Sequence, residues 1–201
     1  MTEPSPPIDF YFDFSSPYGY LAAKRIDGIA ARHGRTVDWR PFLMGLVFRD
    51  VGGQPLTQYP LKGDYSRHDF DRSARRHGIP FTMPAVFPRP STLAMRAALW
   101  LKQRDPAVAR TYCEAVFDAY FQHGRDIGDR AVVIDLAGPL GAALDESLDD
   151  PGLKALARAE NDTAIKQRRI FGSPYIIVDG EPFWGNDRLE MIDEWLTRGG
   201  W

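Results

Sequence analysis

The stretch Ile8 to Pro17 (IDFYFDFSSP) decides the fold. Its aromatic, partly alternating residues predict a strand that ends at Ser15-Ser16-Pro17, a sequence that stops a strand and can start a helix. From Tyr18 to His33, apolar residues recur at helical spacing. Thr36 to Phe42 (TVDWRPF) then predicts a second short strand. The chain therefore opens β-α-β, and we expect two parallel strands joined by a right-handed crossover.

A helical block follows the second strand. Leu43 to about Pro60 is Gly-rich and shows no clear period, so we expect a loop or a short helix with a turn at Gly52-Gly53. Beyond it, apolar residues recur at helical spacing in four stretches and in a further patch that begins at Asp150-Pro151. The four stretches are Tyr65 to His77, Thr92 to Arg104, Ala107 to His123 and Asp129 to Ala137.

Strand character returns in Tyr175 to Asp179 (YIIVD). Asp179-Gly180 is a hairpin turn signal, so Glu181 to Trp184 should pair antiparallel with that strand. Asp187 to Glu190 has the spacing of a capping box for a final helix. The order is β-α-β, a helical block, then β-β-α, which is the thioredoxin arrangement of an α/β protein with an inserted all-helical domain.

The domain boundaries follow from this order. We assign residues 1–42 and 170–201 to the thioredoxin-like domain, and residues 43–169 to the inserted loop and helical domain.

Composition restricts the compartment and the partners. The 201 residues are 44% hydrophobic and 26% charged, with a formal charge of −2, so we expect a soluble protein without a nucleic acid or anionic membrane partner. No apolar run approaches the ~20 residues that cross a bilayer, and Met1 to Pro7 lacks the features of a signal peptide. Cys113 is the single cysteine, which excludes an intrachain disulfide, a CxxC pair and a Cys-rich zinc site. We therefore expect a cytoplasmic protein.

The histidines and the cysteine favour structural roles. His33, His77 and His123 each precede a glycine at a predicted helix end, which is typical of C-capping, and His68 lies in a charged stretch typical of a solvated helix face. We therefore predict no metal. Cys113 lies among apolar residues of a predicted helix, so we expect it to be packed in the core.

Ser16 is the remaining candidate for chemistry. It lies where a strand runs into a helix, at the positive end of the helix dipole and beside unpaired N–H groups. The simpler interpretation is an N-cap with Pro17 at the first helical position. A hydroxyl there could also stabilise a thiolate supplied by another molecule. Redox proteins with a thioredoxin fold carry their reactive cysteine at this point, and this chain has none there.

Several motifs together resemble the family of 2-hydroxychromene-2-carboxylate isomerases, which belongs with the kappa-class glutathione transferases in the DsbA-like branch of the thioredoxin superfamily. The motifs are Phe12 to Tyr18 (FDFSSPY), Ser173-Pro174 before a strand, and Trp184 to Leu189 (WGNDRL). Arg40 to Pro55 (RPFLMGLVFRDVGGQP), followed by Leu61 to Tyr65 (LKGDY), is similar to the kappa-type loop and helix entry. The resemblance covers essentially the whole chain.

The resemblance implies glutathione as cofactor. Ser16 matches the family's catalytic serine, whose hydroxyl favours the glutathione thiolate. Pro174 matches the proline that is cis in this superfamily, which exposes the backbone of Ser173 to pair with the tripeptide, and an ordinary trans proline is the alternative. Asn186 and Asp187 match the residues that hold the γ-glutamyl end, with simple helix capping as the alternative.

Two further positions are implied less specifically. Lys62 matches a lysine near the ligand site, where its charge would suit a carboxylate of glutathione or of the substrate, and a surface lysine is the competing interpretation. Phe87 stands where an aromatic contact to the substrate is expected. Gly53 replaces the Asn of the kappa-type loop, so a side-chain contact is missing there.

The implied function is a glutathione-dependent isomerase acting on 2-hydroxychromene-2-carboxylate or a related aromatic unsaturated ketoacid. The thiolate would add to the conjugated system, allow ring opening and bond rotation, and leave, so that glutathione is regenerated. One alternative is a kappa-type transferase that forms a stable conjugate, and another is a non-catalytic thioredoxin-like module that binds a peptide. A disulfide oxidoreductase is disfavoured because it normally needs a second cysteine. The resemblance also implies a homodimer.

Overall fold

A mixed four-stranded sheet organises the computed structural model, which describes residues 5–201. Its strands are β1 (Ile8–Phe12), β2 (Val37–Pro41), β3 (Tyr175–Val178) and β4 (Glu181–Trp184). The spatial order is β2-β1-β3-β4, with β1 parallel to β2 and antiparallel to β3, and with β3 antiparallel to β4. The predicted β-α-β opening and the closing hairpin are confirmed. Residues 1–4 lie outside the described residues. The predictions for the segment Met1 to Pro7 and for a domain that starts at residue 1 can therefore be followed only from residue 5 onward.

The helices largely follow the predicted stretches. They are α1 (Pro17–Arg32), α2 (Met44–Val51), α3 (Lys62–Arg76), α4 (Thr92–Lys102), α5 (Pro106–Phe121), α6 (Arg130–Asp135), α7 (Gly141–Ser147), α8 (Pro151–Asp162) and α9 (Leu189–Arg198). Short 3₁₀ turns span Leu56–Gln58, Gly138–Leu140 and Asn186–Arg188, and a π-helical turn spans Thr163–Gln167. The short helix α7 has no counterpart in the prediction, because only two of its seven residues are buried and its apolar period is too brief to detect.

The sheet and the helical block share one aromatic core. The ring of Phe117 on α5 lies 5.3 Å from Phe12, 5.3 Å from Phe14, 6.0 Å from Tyr20 and 6.4 Å from Phe121, measured between centroids. These contacts join strand β1, helix α1 and the inserted block in one hydrophobic cluster. All four strands fall within residues 1–42 and 170–201, and the division into domains at those bounds stays a prediction.

The segment after β2 is helical as far as Gly52-Gly53, so the short-helix interpretation is the right one for this part of the expected loop. The helix has no local cap. Its first amides are instead bonded by distant side chains, because the Leu43 N–H donates to Asn161 Oδ1 at 2.8 Å and the Met44 N–H donates to Asp13 Oδ2 at 2.7 Å. Helix α2 is therefore anchored to the end of β1 and to α8.

The predicted capping box at the last helix is wrong. Asp187 lies inside the 3₁₀ turn, α9 begins only at Leu189, and no side chain caps that helix. Glu190 turns towards α1, where its Oε1 accepts from Arg25 Nη2 at 2.7 Å. The Glu190 carboxylate, which the sequence spacing assigns to the cap, thus forms an ion pair with Arg25 of another helix instead.

Two of the histidines and the cysteine occupy the expected positions, whereas His123 lies one residue beyond Gln122, which is the C-cap of α5. His33 and His77 are the C-cap residues of α1 and α3, and His33 Nε2 also lies 2.7 Å from Asp193 Oδ1. Cys113 is 2% exposed, and burial raises the pKa of its thiol. Within residues 5–201, no group of three or more His, Cys, Asp and Glu side chains is arranged to hold a metal ion. The same residues contain no helix with the length and apolar character that a membrane span requires.

Truncation of Phe117 tests the shared core. We expect Phe117→Ala to lower the free energy of unfolding by about 3–5 kcal/mol, since it removes a ring buried among four other aromatic side chains. Urea unfolding followed by circular dichroism measures this change. The control is Val108→Ala at an exposed position of the same helix, which should shift the value by no more than about 0.5 kcal/mol. Equal effects of the two changes would contradict this account of the core.

Candidate functional site

Ser16 caps the N-terminus of α1 and bonds across to the chain before β3. Its Oγ accepts from the Gly19 N–H at 3.0 Å and donates to the Ser173 carbonyl oxygen at 2.9 Å. Pro17 follows at the first helical position, as predicted. The hydroxyl has one proton, so in this arrangement that proton is committed to Ser173.

The segment Ser173-Pro174 lies directly against Ser16. The peptide bond between these two residues is cis. Ser173 Oγ accepts from the Asp13 N–H at 2.9 Å, and the Pro174 carbonyl accepts from the Gly185 N–H at 3.2 Å. These bonds bring the end of β1, the start of α1 and the turn after β4 together at one end of the sheet.

The buried carboxylate of Asp13 holds this place together. Asp13 is 3% exposed. Its Oδ1 accepts from the N–H and the Oγ of Ser15 at 2.8 and 2.9 Å and from Ser91 Oγ at 2.8 Å, while its Oδ2 accepts from the Met44 N–H at 2.7 Å. Both carboxylate oxygens are thereby satisfied by donors from three parts of the chain. Sequence reasoning missed this residue, and the Asp-x-Ser spacing of an Asx turn was the available signal.

Asn186 and Asp187 follow Gly185 in the 3₁₀ turn, and they differ in their surroundings. Asn186 is 6% exposed, and no donor among residues 5–201 bonds to its Oδ1. A buried acceptor without a partner costs about 1–3 kcal/mol, so this oxygen is an exception to the usual pairing of buried polar atoms. Asp187 is exposed, and its Oδ1 lies so close to Gly185 that a Cβ there would overlap it. Gly185 also has a φ of 119°, which favours glycine.

An open groove of about 440 Å³ lies beside the first turn of α1. It is lined by Tyr18, Leu56, Leu61, Lys62, Tyr65 and Ser66. Leu61 is 90% exposed. Lys62 Nζ lies 5.6 Å from the centroid of the Tyr59 ring, and within residues 5–201 no carboxylate oxygen lies within 4.0 Å of that nitrogen. The groove thus combines apolar walls with an unpaired positive charge.

Phe87 lies apart from this groove. It is half-buried in the helical block, where its ring stacks on Tyr120 with centroids 6.4 Å apart, and it does not line the groove. Its predicted contact with a substrate stays a prediction. A smaller cavity of about 190 Å³ at the outer edge of β2 is lined by Trp39, Lys102 and Cys113 among others, and it contains none of the predicted site residues.

The structure therefore brings most of the predicted residues to one region. Ser16, Ser173 and Pro174 are in contact, Asn186 and Asp187 adjoin them through Gly185, and Lys62 lines the neighbouring groove. Their roles towards a ligand stay predictions.

The fold and this site define a protein of the thioredoxin class, in which a serine occupies the start of α1. The chain matches the family described as DSBA-like thioredoxin domain over residues 7–197. It is 31% identical over 194 residues to a 2-hydroxychromene-2-carboxylate isomerase of Sphingobium xenophagum, covering 94% of this chain and 97% of that protein. It is also 26% identical to glutathione S-transferase kappa 1 of Caenorhabditis elegans, covering 96% of this chain and 92% of that protein.

A solved structure agrees with these matches. The structure of a 2-hydroxychromene-2-carboxylate isomerase superposes with a TM-score of 0.84 and 28% sequence identity, covering 95% of this chain and 94% of that chain. The chain belongs to the DSBA-like thioredoxin family and, within it, to the family of 2-hydroxychromene-2-carboxylate isomerases.

The close approach at Gly19 gives a test of the site geometry. An alanine Cβ there would lie 2.9 Å from Ser173 Oγ and 3.1 Å from Ser16 Cβ. Ser173 Oγ cannot move away without loss of its bond to the Asp13 N–H. We therefore expect Gly19→Ala to lower the free energy of unfolding by about 1–2 kcal/mol, measured by urea titration.

Gly28 is the matched control for this change. It lies in the same helix, and a Cβ there would meet nothing within 4 Å. Gly28→Ala should raise the free energy of unfolding by about 0.5–1 kcal/mol through helix propensity alone. If Gly19→Ala is stabilising to the same degree, the close approach described for Gly19 is wrong.

Asp13→Asn tests the carboxylate that joins the site. The amide keeps the size of the side chain but replaces one acceptor oxygen with a donor, so at least one N–H or O–H partner is left facing another donor. We expect the free energy of unfolding to fall by about 2–3 kcal/mol, measured by chemical denaturation. Asp105→Asn at the exposed N-cap of α5 should be nearly neutral, because Asn caps as well as Asp. If Asp13→Asn leaves the free energy of unfolding unchanged, Asp13 does not hold the site together.

Proposed function

We propose that this protein is a glutathione-dependent isomerase of 2-hydroxychromene-2-carboxylate or a closely related aromatic unsaturated ketoacid. The observation that carries the proposal is the Ser16 hydroxyl, which lies at the N-terminus of α1 and bonds to the backbone carbonyl of Ser173. Redox members of the thioredoxin class carry a reactive cysteine at that point. The 31% identity to an isomerase over 94% of this chain supports the choice of reaction.

The residues around Ser16 fit glutathione. The unpaired, buried Oδ1 of Asn186 suits the ammonium group of the γ-glutamyl end, and the exposed carboxylate of Asp187 adds a favourable charge beside it. The backbone of Ser173 suits an extended peptide that pairs with it like an added strand. The unpaired Lys62 suits a carboxylate of the tripeptide or of the substrate.

Bound glutathione would supply a thiolate nucleophile that adds reversibly to the conjugated substrate and is regenerated. Helix α1 lowers the free energy of a negative charge near its first turn. Pro17 has no N–H, and the Gly19 N–H already bonds to Ser16, which leaves the Tyr18 N–H as the amide of that turn without a partner in the described chain.

The second donor towards the sulfur is the Ser16 hydroxyl, which must first leave the Ser173 carbonyl. That carbonyl is also the acceptor that an extended ligand backbone uses. When a ligand N–H donates to the Ser173 carbonyl, it replaces the Ser16 hydroxyl there. The hydroxyl is then free to rotate and donate to the sulfur. Binding of the peptide backbone and stabilisation of the thiolate are in this way coupled through one hydrogen bond.

Substitution of Ser16 tests the proposal. We expect Ser16→Ala to lower kcat roughly 100-fold, as loss of one donor to a developing charge typically does, and to raise the pKa of the bound glutathione thiol by about one to two units. Ser16→Thr retains a hydroxyl and should recover most of the activity. The pKa is measured from thiolate absorbance against pH, and kcat from turnover of 2-hydroxychromene-2-carboxylate.

Loss of the cap alone needs a separate control. Asp105→Ala removes the N-cap of α5, which also has proline at its first position, and should lower stability by about 1 kcal/mol with unchanged kcat. Full activity of Ser16→Ala together with an unshifted thiol pKa would sink the proposed role of Ser16.

A kappa-type transferase is the second candidate, and the 26% identity to a kappa transferase over 96% of this chain favours considering it. The two reactions differ in the fate of glutathione. An isomerase consumes none, whereas a transferase converts one glutathione per product. Mass analysis of products and of remaining free glutathione therefore distinguishes them. Absence of glutathione binding in calorimetry would instead favour a peptide-binding module. A homodimer and a cytoplasmic location stay predictions.

A further inference from the structure

A chain of polar contacts runs from α1 to α3 behind the groove. The Tyr18 hydroxyl donates to Asp69 Oδ2 at 2.5 Å. Arg72 Nε donates to Asp69 Oδ1 at 3.1 Å, and Arg72 Nη2 donates to the Tyr65 hydroxyl at 2.9 Å. The Arg72 guanidinium also lies 5.5 Å from the centroid of the Tyr65 ring. One carboxylate and one guanidinium thus connect two tyrosines that both line the groove.

These contacts fix side chains that would otherwise rotate. Tyr65 is 62% exposed, and an aromatic side chain so exposed normally has considerable rotamer freedom. Here Arg72 holds both its hydroxyl and its ring. The Tyr18 hydroxyl is committed to Asp69, so Tyr18 contributes its ring rather than a free donor to the groove.

The protonation states suit this arrangement. Burial, and then the hydrogen bond to Asp69, raise the pKa of Tyr18 well above its ordinary value. Burial alone would raise the pKa of Asp69, but hydrogen bonds from Tyr18 and Arg72 lower it overall. A neutral phenol and an ionised carboxylate therefore face each other throughout the neutral range.

The groove chemistry points to one class of occupant. Two tyrosine rings and the side chains of Leu56 and Leu61 offer apolar and aromatic surface, and Lys62 adds a positive charge that no carboxylate of the described chain neutralises. The volume of about 440 Å³ lies in the range of small-molecule sites. A planar aromatic carboxylate matches all three features.

We infer that Asp69 and Arg72 are positioning residues, which hold Tyr18 and Tyr65 as walls of the groove in which the aromatic carboxylate substrate of the proposed function binds. Lys62 is the partner of the substrate carboxylate. This inference rests on the proposed function for the reaction itself. It assigns two residues that contact neither glutathione nor the reacting atoms.

Calorimetry with 1-hydroxy-2-naphthoate, an unreactive aromatic carboxylate, tests the groove directly. We expect Asp69→Asn to weaken its binding roughly three- to tenfold, because two ring side chains must then be ordered on binding. The dissociation constant for glutathione should not change. In turnover, KM for 2-hydroxychromene-2-carboxylate should rise by the same factor with kcat nearly constant.

Two further variants test the contact between Tyr18 and Asp69 and the charge of Lys62 separately. Tyr18→Phe deletes the hydroxyl bond from the opposite side, and its effect should not add to that of Asp69→Asn in the double variant. Tyr18→Phe also tests the same contact if the Asp69→Asn variant fails to fold. Lys62→Met should weaken binding of the naphthoate but not of neutral 2-naphthol, because only the first has a carboxylate.

The matched control is Asp71→Asn. Asp71 lies on the same helix and forms an exposed ion pair with Arg75, away from the groove lining. The Asp71→Asn substitution should leave the dissociation constant for the naphthoate unchanged. Unaltered binding in both Asp69→Asn and Tyr18→Phe, or an equal loss of glutathione binding, would overturn the inference. Naphthoate binding that depends on Asp69 in a protein without isomerase activity would instead overturn the proposed function and leave the groove assignment standing.

Discussion

The structure depends on one buried carboxylate at the end of β1. The Asp13 side chain is 3% exposed, and a polar group so buried is stable only when hydrogen bonds within the protein replace those that it made with water. The donors of these hydrogen bonds come from the next turn of the chain, from the N-cap of α4 and from the first turn of α2. Two helices of the inserted block are thereby oriented with their N-termini towards the same point. The position of the helical block relative to the sheet is therefore set by the hydrogen bonds of one buried side chain as well as by the aromatic core.

The candidate site inherits its geometry from that carboxylate. The backbone N–H of Asp13 holds the Ser173 hydroxyl, and the Ser173 carbonyl accepts from Ser16. The atoms that form these bonds are restrained, because every residue of β1 is buried and Ser16 is the N-cap of α1. A side chain placed by a strand end and a helix start is held more rigidly than one on a loop.

The sequence predicts the local features of this site well and the distant ones poorly. The Ser16-Pro17 helix start and the Asp179-Gly180 hairpin depend on residues a few positions apart, so a pattern is enough to find them. The cap of α2 depends on Asp13, 31 residues away, and on Asn161, 118 residues from Leu43. The apparent capping box at Glu190 failed for the same reason, since Arg25 competes from 165 residues away. Only tertiary structure decides between such partners.

The choice of serine at the start of α1 determines which chemistry the site can support. A cysteine at a helix N-terminus tends to ionise, and it then accepts hydrogen bonds and attacks disulfides. A serine hydroxyl stays protonated at neutral pH, so it can donate to a sulfur anion without forming a covalent bond to it. The chain's single thiol, Cys113, lies 2% exposed in the core, where burial raises its pKa. Any sulfur nucleophile at Ser16 would therefore have to come from a bound molecule, as the proposed isomerisation requires.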